Sequence, residues 1–295
     1  MSVYRSFLFA PGNHPRRTEK AFTLGADAVI LDLEDACPAA EKVATRAVIV
    51  AALQRPRRCR GYVRVNPIST AFGHRDIEAV VRGGVDGLVA PKIETADELR
   101  TVDWLMRQIE REQGLAEGSV DLIPIIETGL GLRNVDAVAQ AASQLGGRVR
   151  RMMFGAGDFT LDMDIAWTRE EAEFQPYRSA LVLASRAARL EPPLDTVWVD
   201  LRDPEGFSRS VAAVRAMGFQ GKLCIHPDQV PVVNAMFAPS DEQVAHARRI
   251  VTVFEAAEAA GSAALQIDGQ FIDYPFLYRA QRVLQAADRV ATLPQ

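Results

Sequence analysis

Two carboxylates close neighbouring apolar segments of this chain. Glu127 ends the run LIPII, and Asp158 follows the run MMFGAG. A buried parallel strand that ends in a carboxylate and small residues directs that carboxylate toward a cleft, and successive strands bring two of them together. Two carboxylates, with water and substrate oxygens completing an octahedron, are a usual way to hold Mg²⁺. These residues therefore predict a magnesium site. The alternative for each carboxylate is that it caps the following helix or forms a salt bridge with Arg64 or Lys92.

A guanidinium stands on the apolar segment YVRVN. Arg64 has the same parity as Asn66 on this segment, and an inward charge must find a partner because an unpaired buried charge is costly. It can clamp a substrate carboxylate through two hydrogen bonds, or form a salt bridge to Glu127 or Glu34. Acidic and basic groups thus mix at the segment ends, with no Ser or Cys nucleophile beside a His. This mixture favours a metal-assisted reaction on an anionic substrate over acyl-enzyme chemistry.

The second apolar segment ends in the acidic cluster Asp32, Glu34 and Asp35. Asp32 and Glu34 share a face of an extended strand. One of them is a candidate to bind the waters of the metal, while helix capping and salt bridges to Lys42 or Arg46 explain the cluster equally well. We do not predict these acids as direct metal ligands.

Eight short runs rich in apolar and β-branched residues alternate with longer stretches that carry helical signals. This alternation predicts an α/β protein built as a closed (β/α)8 barrel, whose site lies at the C-terminal ends of the strands. A doubly wound open sheet is the second choice, although no glycine-rich dinucleotide fingerprint follows any run. The predicted strands are Phe7–Ala10, Ala28–Leu33, Tyr62–Val65, Gly87–Ala90, Leu122–Ile126, Met152–Phe154, Val197–Leu201 and Leu223–Ile225.

The barrel units are complete near residue 235, which predicts a catalytic domain over 1–235 and an extension over 236–295. The Asp268-Gly269 pair is a hairpin turn signal, so the extension is expected to be a helix–hairpin–helix that acts as a lid or an oligomer contact. Its predicted elements are a helix from Ser240 to about Ala260, a hairpin over Leu265–Ile272 and a helix from Tyr274 to about Arg289.

Composition limits the classes of partner. The chain has 295 residues, 48% of them apolar, with a formal net charge of -4. This balance predicts no general attraction to nucleic acid or to anionic membranes, and no stretch is long enough to cross a bilayer. The three cysteines are widely spaced, and the first apolar run is too short for a signal peptide, so we expect a cytoplasmic protein.

Eight short motifs in register resemble the citrate lyase β-subunit-like family of the aldolase superfamily, which also includes malyl-CoA and citramalyl-CoA lyases. The resemblance covers almost the whole chain. The matching stretches are RSFLFAPG from Arg5, DLED from Asp32, RVNP from Arg64, Pro91-Lys92, IET around Glu127, FGxxD ending at Asp158, GKxxIHP from Gly221 and GxxIDxP from Gly269.

The resemblance implies a (β/α)8 barrel that uses Mg²⁺ and acts on thioesters of coenzyme A or of an acyl carrier. By motif, Glu127 and Asp158 would hold the metal and Arg64 would contact the substrate carboxylate. Asp273 would act as acid/base in the site of a neighbouring subunit, within a trimer or a dimer of trimers, although it can also be an N-cap of the last helix. The positions further implied in substrate binding are Arg5, Pro11, Gly12 and Lys92. The local sequence supports Pro11-Gly12 only weakly, as a turn that can receive a phosphate at a helix N-terminus.

The implied activity is the cleavage of a 3-hydroxyacyl-CoA such as malyl-, citramalyl- or citryl-CoA to acetyl-CoA and a 2-oxo acid, or the reverse Claisen condensation. Two alternatives use the same site: thioester hydrolysis or a combined malate synthase reaction, and a carrier-dependent subunit of a larger lyase complex. One departure bears on the substrate. Many members have a glutamate where this chain has Gly157, directly before the predicted metal aspartate.

Overall fold

The computed structural model describes residues 4–291, and a compact unit over Tyr4–Asn234 contains a closed barrel of eight parallel strands. Each strand pairs with the next in sequence, and β8 returns to pair with β1. The predicted (β/α)8 architecture is confirmed. The strands are β1 Ser6–Pro11, β2 Ala28–Asp32, β3 Arg60–Arg64, β4 Gly87–Ala90, β5 Asp121–Ile126, β6 Met153–Phe154, β7 Leu194–Asp195 and β8 Gly221–Cys224.

Helices follow the strands and cover the barrel. The longest of them in this unit, α4, begins at a capping box in which Thr95 and Glu98 satisfy each other's backbone N–H groups. The helices are α1 Pro15–Ala21, α2 Lys42–Leu53, α3 Gly73–Val80, α4 Ala96–Glu112, α5 Gly129–Arg133, α6 Val135–Ser143, α7 Ala156–Met163, α8 Gln175–Ala187, α9 Pro204–Met217 and α10 Gln229–Phe237.

The barrel interior is a packed core rather than a channel. Side chains from every strand contribute to it, and each fully buried large apolar side chain stabilises the fold by about 1.5–3 kcal/mol. A substrate therefore has room only at the ends of the strands. Members of this core are Phe7, Ile30, Tyr62, Val89, Ile125, Met153, Leu194 and Leu223.

The seventh strand is not where the sequence pattern places it. The prediction of Val197–Leu201 is wrong: β7 is Leu194–Asp195, and Val199 and Leu201 are 55% and 53% exposed. Asp195 is fully buried, and ion pairs with Arg178 and with Lys222 on β8 compensate its charge. A charged residue on a two-residue strand hides that strand from a search for apolar runs.

A second unit begins at Ala235 and forms its own small core. The predicted helix, hairpin and helix are confirmed: α11 begins at a Ser240–Gln243 capping box, and positive φ angles at Asp268 and Gly269 turn the hairpin. None of the helices in residues 4–291 is long and apolar enough to span a membrane. The elements of this unit are α11 Asp241–Ala259, β9 Leu265–Ile267, β10 Gln270–Ile272 and α12 Tyr274–Ala291, with a core of Ile250, Phe254, Ile267, Ile272 and Leu277.

Candidate active site

Charged side chains from five strand ends meet at the C-terminal end of the barrel. Arg64 closes β3, Glu34 follows β2 by two residues, and Lys92 follows β4 by two. Glu127 comes directly after β5, and Asp158 lies in the first turn of α7 after β6. Parallel strands end at the same face of a barrel, which is why residues so far apart in sequence lie together here.

Glu127 is the most deeply buried acid of this group, with 3% of its surface exposed. Its Oε1 accepts the backbone N–H of Lys92 at 2.8 Å. A Cβ at Gly155, on the neighbouring strand end, would lie 2.3 Å from Glu127 Oε2, so only glycine allows the carboxylate this position. Burial raises the pKa of Glu127 to about 8; the charges of Glu34 and Asp158 add to the shift, while Arg64 and Lys92 oppose it.

This raised pKa predicts a pH-dependent stability of the metal-free protein. The folded state favours the protonated form of Glu127. The contribution of this carboxyl group to the free energy of unfolding is therefore complete below about pH 4.5 and is lost as the pH rises through about 8. We expect the free energy of unfolding in EDTA, relative to Glu127→Gln at the same pH, to fall by about 3–4 kcal/mol between pH 5 and pH 8.5. Urea unfolding at both pH values measures it. Parallel pH profiles for the two proteins would contradict the prediction.

Asp158 lies closer to solvent, with a quarter of its side chain exposed. Its Oδ2 is 3.1 Å from the ammonium nitrogen of Lys92. The preceding Gly157 faces open space, since a Cβ there would meet no atom within 4 Å. Packing therefore does not require a glycine at this position, and the absence of a side chain leaves the mouth open beside Asp158.

Arg64 is held in one orientation by Asp32. Its Nε and Nη2 donate to the two oxygens of Asp32 at 2.7 and 2.6 Å, and its guanidinium carbon lies 4.9 Å from the centre of the Phe9 ring. Nη1 is 3.1 Å from Glu34 Oε2. Of the two predicted salt-bridge partners, Glu34 lies at ion-pair distance, but Asp32 makes the fork-like contact. Since a guanidinium has five N–H groups, three remain beyond those that Asp32 accepts.

The Asp32–Arg64 pair is ionised despite its burial. Burial opposes ionisation of Asp32, yet Arg64 and the backbone N–H groups of Glu34 and Ala36 hold the pKa of Asp32 below its usual range. The pKa of Arg64 is raised, chiefly by Asp32, against the opposing effect of burial. A fixed cation at the mouth suits the recognition of a substrate carboxylate.

Glu34 joins Arg64 to Lys92. Its Oε1 accepts a hydrogen bond from Lys92 Nζ at 2.7 Å, and burial raises the pKa of Glu34. Lys42 bonds the main-chain carbonyl of Glu34 rather than its carboxylate, and Arg46 pairs with Asp76. Arg64 and Lys92, not Lys42 or Arg46, are therefore the cations that balance the acidic cluster.

The two ends of the motif RSFLFAPG lie at opposite ends of β1. Pro11 and Gly12 are at the end of the barrel that carries the candidate site, and Arg5 is not. Arg5 precedes β1, at the opposite end of the barrel, and binds Asp27 through Nε and Nη2 at 2.9 and 2.8 Å. Pro11 pairs with Asp32 at the C-terminal end, and the N–H of Gly12 donates to Asp32 O at 3.0 Å. Arg5 thus has a structural ion pair where the resemblance implies substrate contact.

Asp273 lies between β10 and α12 in the second unit. Its carbonyl oxygen accepts the N–H groups of Phe276 and Leu277 at 3.0 and 3.1 Å, so the residue begins the helix through its backbone. Among the residues described, one carboxylate oxygen, Oδ1, is buried without a hydrogen-bond partner. A buried acceptor left unpaired is costly, so a partner that the described residues do not supply would stabilise this carboxylate.

The donor set suits a hard divalent cation. Within residues 4–291, no three His, Cys, Asp or Glu side chains converge as a complete ligand set, so protein ligands alone do not fill a coordination sphere. Two carboxylates with water are what Mg²⁺ prefers, and an excess of negative charge is available. Five acids (Asp32, Glu34, Asp35, Glu127 and Asp158) face two cations (Arg64 and Lys92), which leaves three negative charges when all are ionised.

Charged residues gathered at the C-terminal strand ends of a parallel (β/α)8 barrel are the arrangement found in the active sites of (β/α)8-barrel enzymes. The HpcH/HpaI aldolase/citrate lyase family model matches residues 5–227. The chain belongs to this family, and it is an enzyme of the lyase class.

Relatives with established names span nearly the whole chain. The citrate lyase subunit beta of Leuconostoc mesenteroides subsp. cremoris is 34% identical over 286 residues, 96% of this chain and 93% of the relative. Human mitochondrial citramalyl-CoA lyase is 30% identical, over 97% of this chain and 86% of the relative. The crystal structure of the protein CitE from Mycobacterium tuberculosis, in complex with magnesium, acetoacetate and coenzyme A, superposes with a TM-score of 0.78 at 30% identity, covering 97% and 98% of the two chains.

Proposed function

We propose that this protein is a Mg²⁺-dependent carbon–carbon lyase. It would cleave a 3-hydroxyacyl-CoA such as malyl-, citramalyl- or citryl-CoA to acetyl-CoA and a 2-oxo acid, or form the thioester by the reverse Claisen condensation. The observation that carries this proposal is the convergence of Glu127 and Asp158 with the oriented guanidinium of Arg64 at one barrel mouth. The ligands of the solved relative, magnesium with acetoacetate and coenzyme A, support it.

Glu127 and Asp158 are the residues that would hold the metal. When bound, Mg²⁺ supplies Lewis-acid stabilisation of the oxygen on which negative charge develops. Glu127 must be ionised to serve as a ligand, so metal binding releases the proton that burial favours. Asp158 would contribute the more accessible oxygen.

Arg64 would neutralise and orient the carboxylate of the substrate. Asp32 fixes the guanidinium by two hydrogen bonds, so the remaining N–H groups point in a direction set before substrate arrives. Such preorganisation lowers the cost of orienting the reacting groups. The buried Asp32 is thus a positioning residue for Arg64.

Asp273 would move the proton that balances the reaction. Cleavage releases the proton of the 3-hydroxyl group to solvent, breaks the bond between carbons 2 and 3, and leaves a thioester enolate that must gain one proton at carbon, so that no net proton is consumed. The carboxyl group of Asp273 would donate that proton and would remove it in the condensation direction. Oδ1 of Asp273, which has no hydrogen-bond partner within residues 4–291, supports this role.

We propose that Asp273 acts in the site of a neighbouring subunit of a trimer or hexamer. Its unit exposes aromatic side chains suited to an interface: Phe271 on the hairpin is 60% exposed, and Tyr274 and Tyr278 stack with centroids 6.0 Å apart. Exposed aromatic surface of this kind is typical of contact surfaces.

Replacing Asp273 by alanine is expected to lower turnover by about 10²–10⁴-fold, because the enolate loses its proton donor, while Mg²⁺ affinity stays unchanged. Solvent deuterium exchange into the methyl group of acetyl-CoA, followed by mass spectrometry, measures the proton step directly. Asp268→Asn, at a carboxylate of the same unit bound to Arg249, is the matched control. Full activity in Asp273→Ala would remove this assignment.

Complementation tests which subunit supplies the group. Co-refolding Asp273→Ala with Glu127→Gln in equal amounts would leave about a quarter of the sites with both residues intact if Asp273 comes from a neighbour. If Asp273 serves its own barrel, no site regains both residues and the mixture stays inactive.

A carrier-dependent subunit of a citrate lyase complex is the second candidate, favoured by the relative that carries the citrate lyase beta name. The test is to offer each acyl group both as its CoA thioester and on an acyl-carrier protein. Formation of 2-oxo acid from the CoA thioesters supports the free-standing lyase. Turnover of the carrier thioester alone would favour the subunit, and free thiol without 2-oxo acid would identify a thioesterase.

A further inference from the structure

Lys92 contacts three carboxylates at the mouth of the barrel. Its backbone N–H donates to Glu127 Oε1 at 2.8 Å, and its ammonium donates to Glu34 Oε1 at 2.7 Å. The same ammonium lies 3.1 Å from Asp158 Oδ2. These acids follow β5, β2 and β6, so one residue after β4 joins acids from three other strand ends.

The backbone of Lys92 is adapted to these contacts. Its φ of 50° lies in the left-handed region, which a residue with a side chain rarely adopts. Such conformations persist where the surroundings determine them, and they cluster at functional sites. Here the unusual φ accompanies an amide aimed at Glu127 and a side chain aimed at Glu34 and Asp158.

The neighbouring cation, Arg64, contacts Asp32, Glu34 and Asp35 among the ion pairs described. Arg64 donates two hydrogen bonds to Asp32. Among the described residues, Lys92 is the cation that contacts both Glu34 and Asp158. Without it, these acids and Glu127 would face one another, which is unfavourable for like charges at short range.

We propose that Lys92 is the internal counter-ion of the metal-free site. Its ammonium contacts one oxygen of Asp158, a proposed metal ligand, so it offsets the repulsion among the carboxylates and at the same time weakens the binding of Mg²⁺. Metal binding would release the ammonium from Asp158 and make it available to an anionic substrate. This inference rests on the proposed function through its metal site.

The test is a calorimetric titration of metal-stripped protein with MgCl₂ alone. A unit charge and a divalent cation about 5 Å apart in a water-like dielectric repel enough to change affinity about tenfold or more. We therefore expect Lys92→Met to bind Mg²⁺ at least about tenfold more tightly than the wild type. The variant should also melt at a lower temperature without metal, and its melting temperature should rise more on addition of Mg²⁺. Equal or weaker Mg²⁺ binding by Lys92→Met would overturn the inference.

Two further variants separate this effect from others. Lys92→Arg keeps the charge and should bind Mg²⁺ like the wild type; the same tightening in it would contradict a charge effect. Lys42→Met makes the same substitution at a buried lysine that contacts the carbonyl of Glu34, and it should leave Mg²⁺ affinity unchanged. A wild-type protein that binds no Mg²⁺ would instead overturn the proposed metal site.

Discussion

Glu127→Gln is expected to abolish Mg²⁺ binding and to lower turnover by at least about a thousandfold, since one of two protein ligands is lost. Glutamine has nearly the same volume and keeps an oxygen for the Lys92 N–H, which Glu127 accepts at 2.8 Å. It removes a buried carboxylate whose pKa is raised to about 8. The variant should therefore be at least as stable as the metal-free wild type at alkaline pH. Its loss of activity would then result from the missing metal ligand and not from unfolding.

Steady-state rates and a Mg²⁺ titration monitored by calorimetry measure both parts of this prediction. Glu41→Gln is the matched control, because Glu41 is exposed at the same end of the barrel and its carboxylate accepts only the Asn13 side chain among the hydrogen bonds described. It should retain wild-type activity. If Glu127→Gln binds Mg²⁺ as the wild type does, the metal site must be placed elsewhere.

Arg64→Met is expected to lose both activity and stability. The buried Asp32 would keep its charge without its partner, and breaking a buried ion pair in this way costs about 3–5 kcal/mol. The substrate carboxylate would lose its cation as well, which should lower kcat/KM by at least about a hundredfold. Arg64→Lys keeps a charge but not the fork, so it should recover stability more than activity.

The double variant Asp32→Asn/Arg64→Met separates the two roles. Neutralising Asp32 removes the uncompensated charge, so the free energy of unfolding should return toward the wild-type value while kcat/KM stays low. Urea unfolding and substrate-saturation kinetics on the wild type, Asp32→Asn, Arg64→Met and the double variant complete the cycle. If Arg64→Met is as stable as the wild type, the Asp32 contact does not stabilise the fold as the structure indicates.

The barrel could be predicted because most of its strands are apolar and end at a turn. The run of Ala28–Asp32 is buried at every position, and the carboxylates that follow β5 and lie in the first turn of α7 are visible as breaks in hydropathy. The strand β7 could not be predicted in the same way. Its position depends on Asp195 meeting Arg178 and Lys222, and hydropathy does not register a buried ion pair.

The candidate site, too, could be predicted from the sequence only in part. The residue types and their order indicate Glu127, Asp158 and Arg64, but not that Asp32 holds Arg64. That contact follows from the pairing of β2 with β3, which sets Asp32 directly across from Arg64. Register arises from the assembled sheet, so a spacing pattern within one strand does not contain it. The same limit applies to Arg5, whose place before β1 takes it to the far end of the barrel.

The most direct test of a Mg²⁺-dependent lyase is the product balance of one reaction. Purified protein would be incubated anaerobically with malyl-, citramalyl- and citryl-CoA in turn, with acetyl-CoA, 2-oxo acid and free CoA quantified together. We expect acetyl-CoA and 2-oxo acid in equal amounts from at least one thioester, abolished by EDTA and restored by excess Mg²⁺. Free CoA without 2-oxo acid, or cleavage that persists in EDTA, would contradict the account.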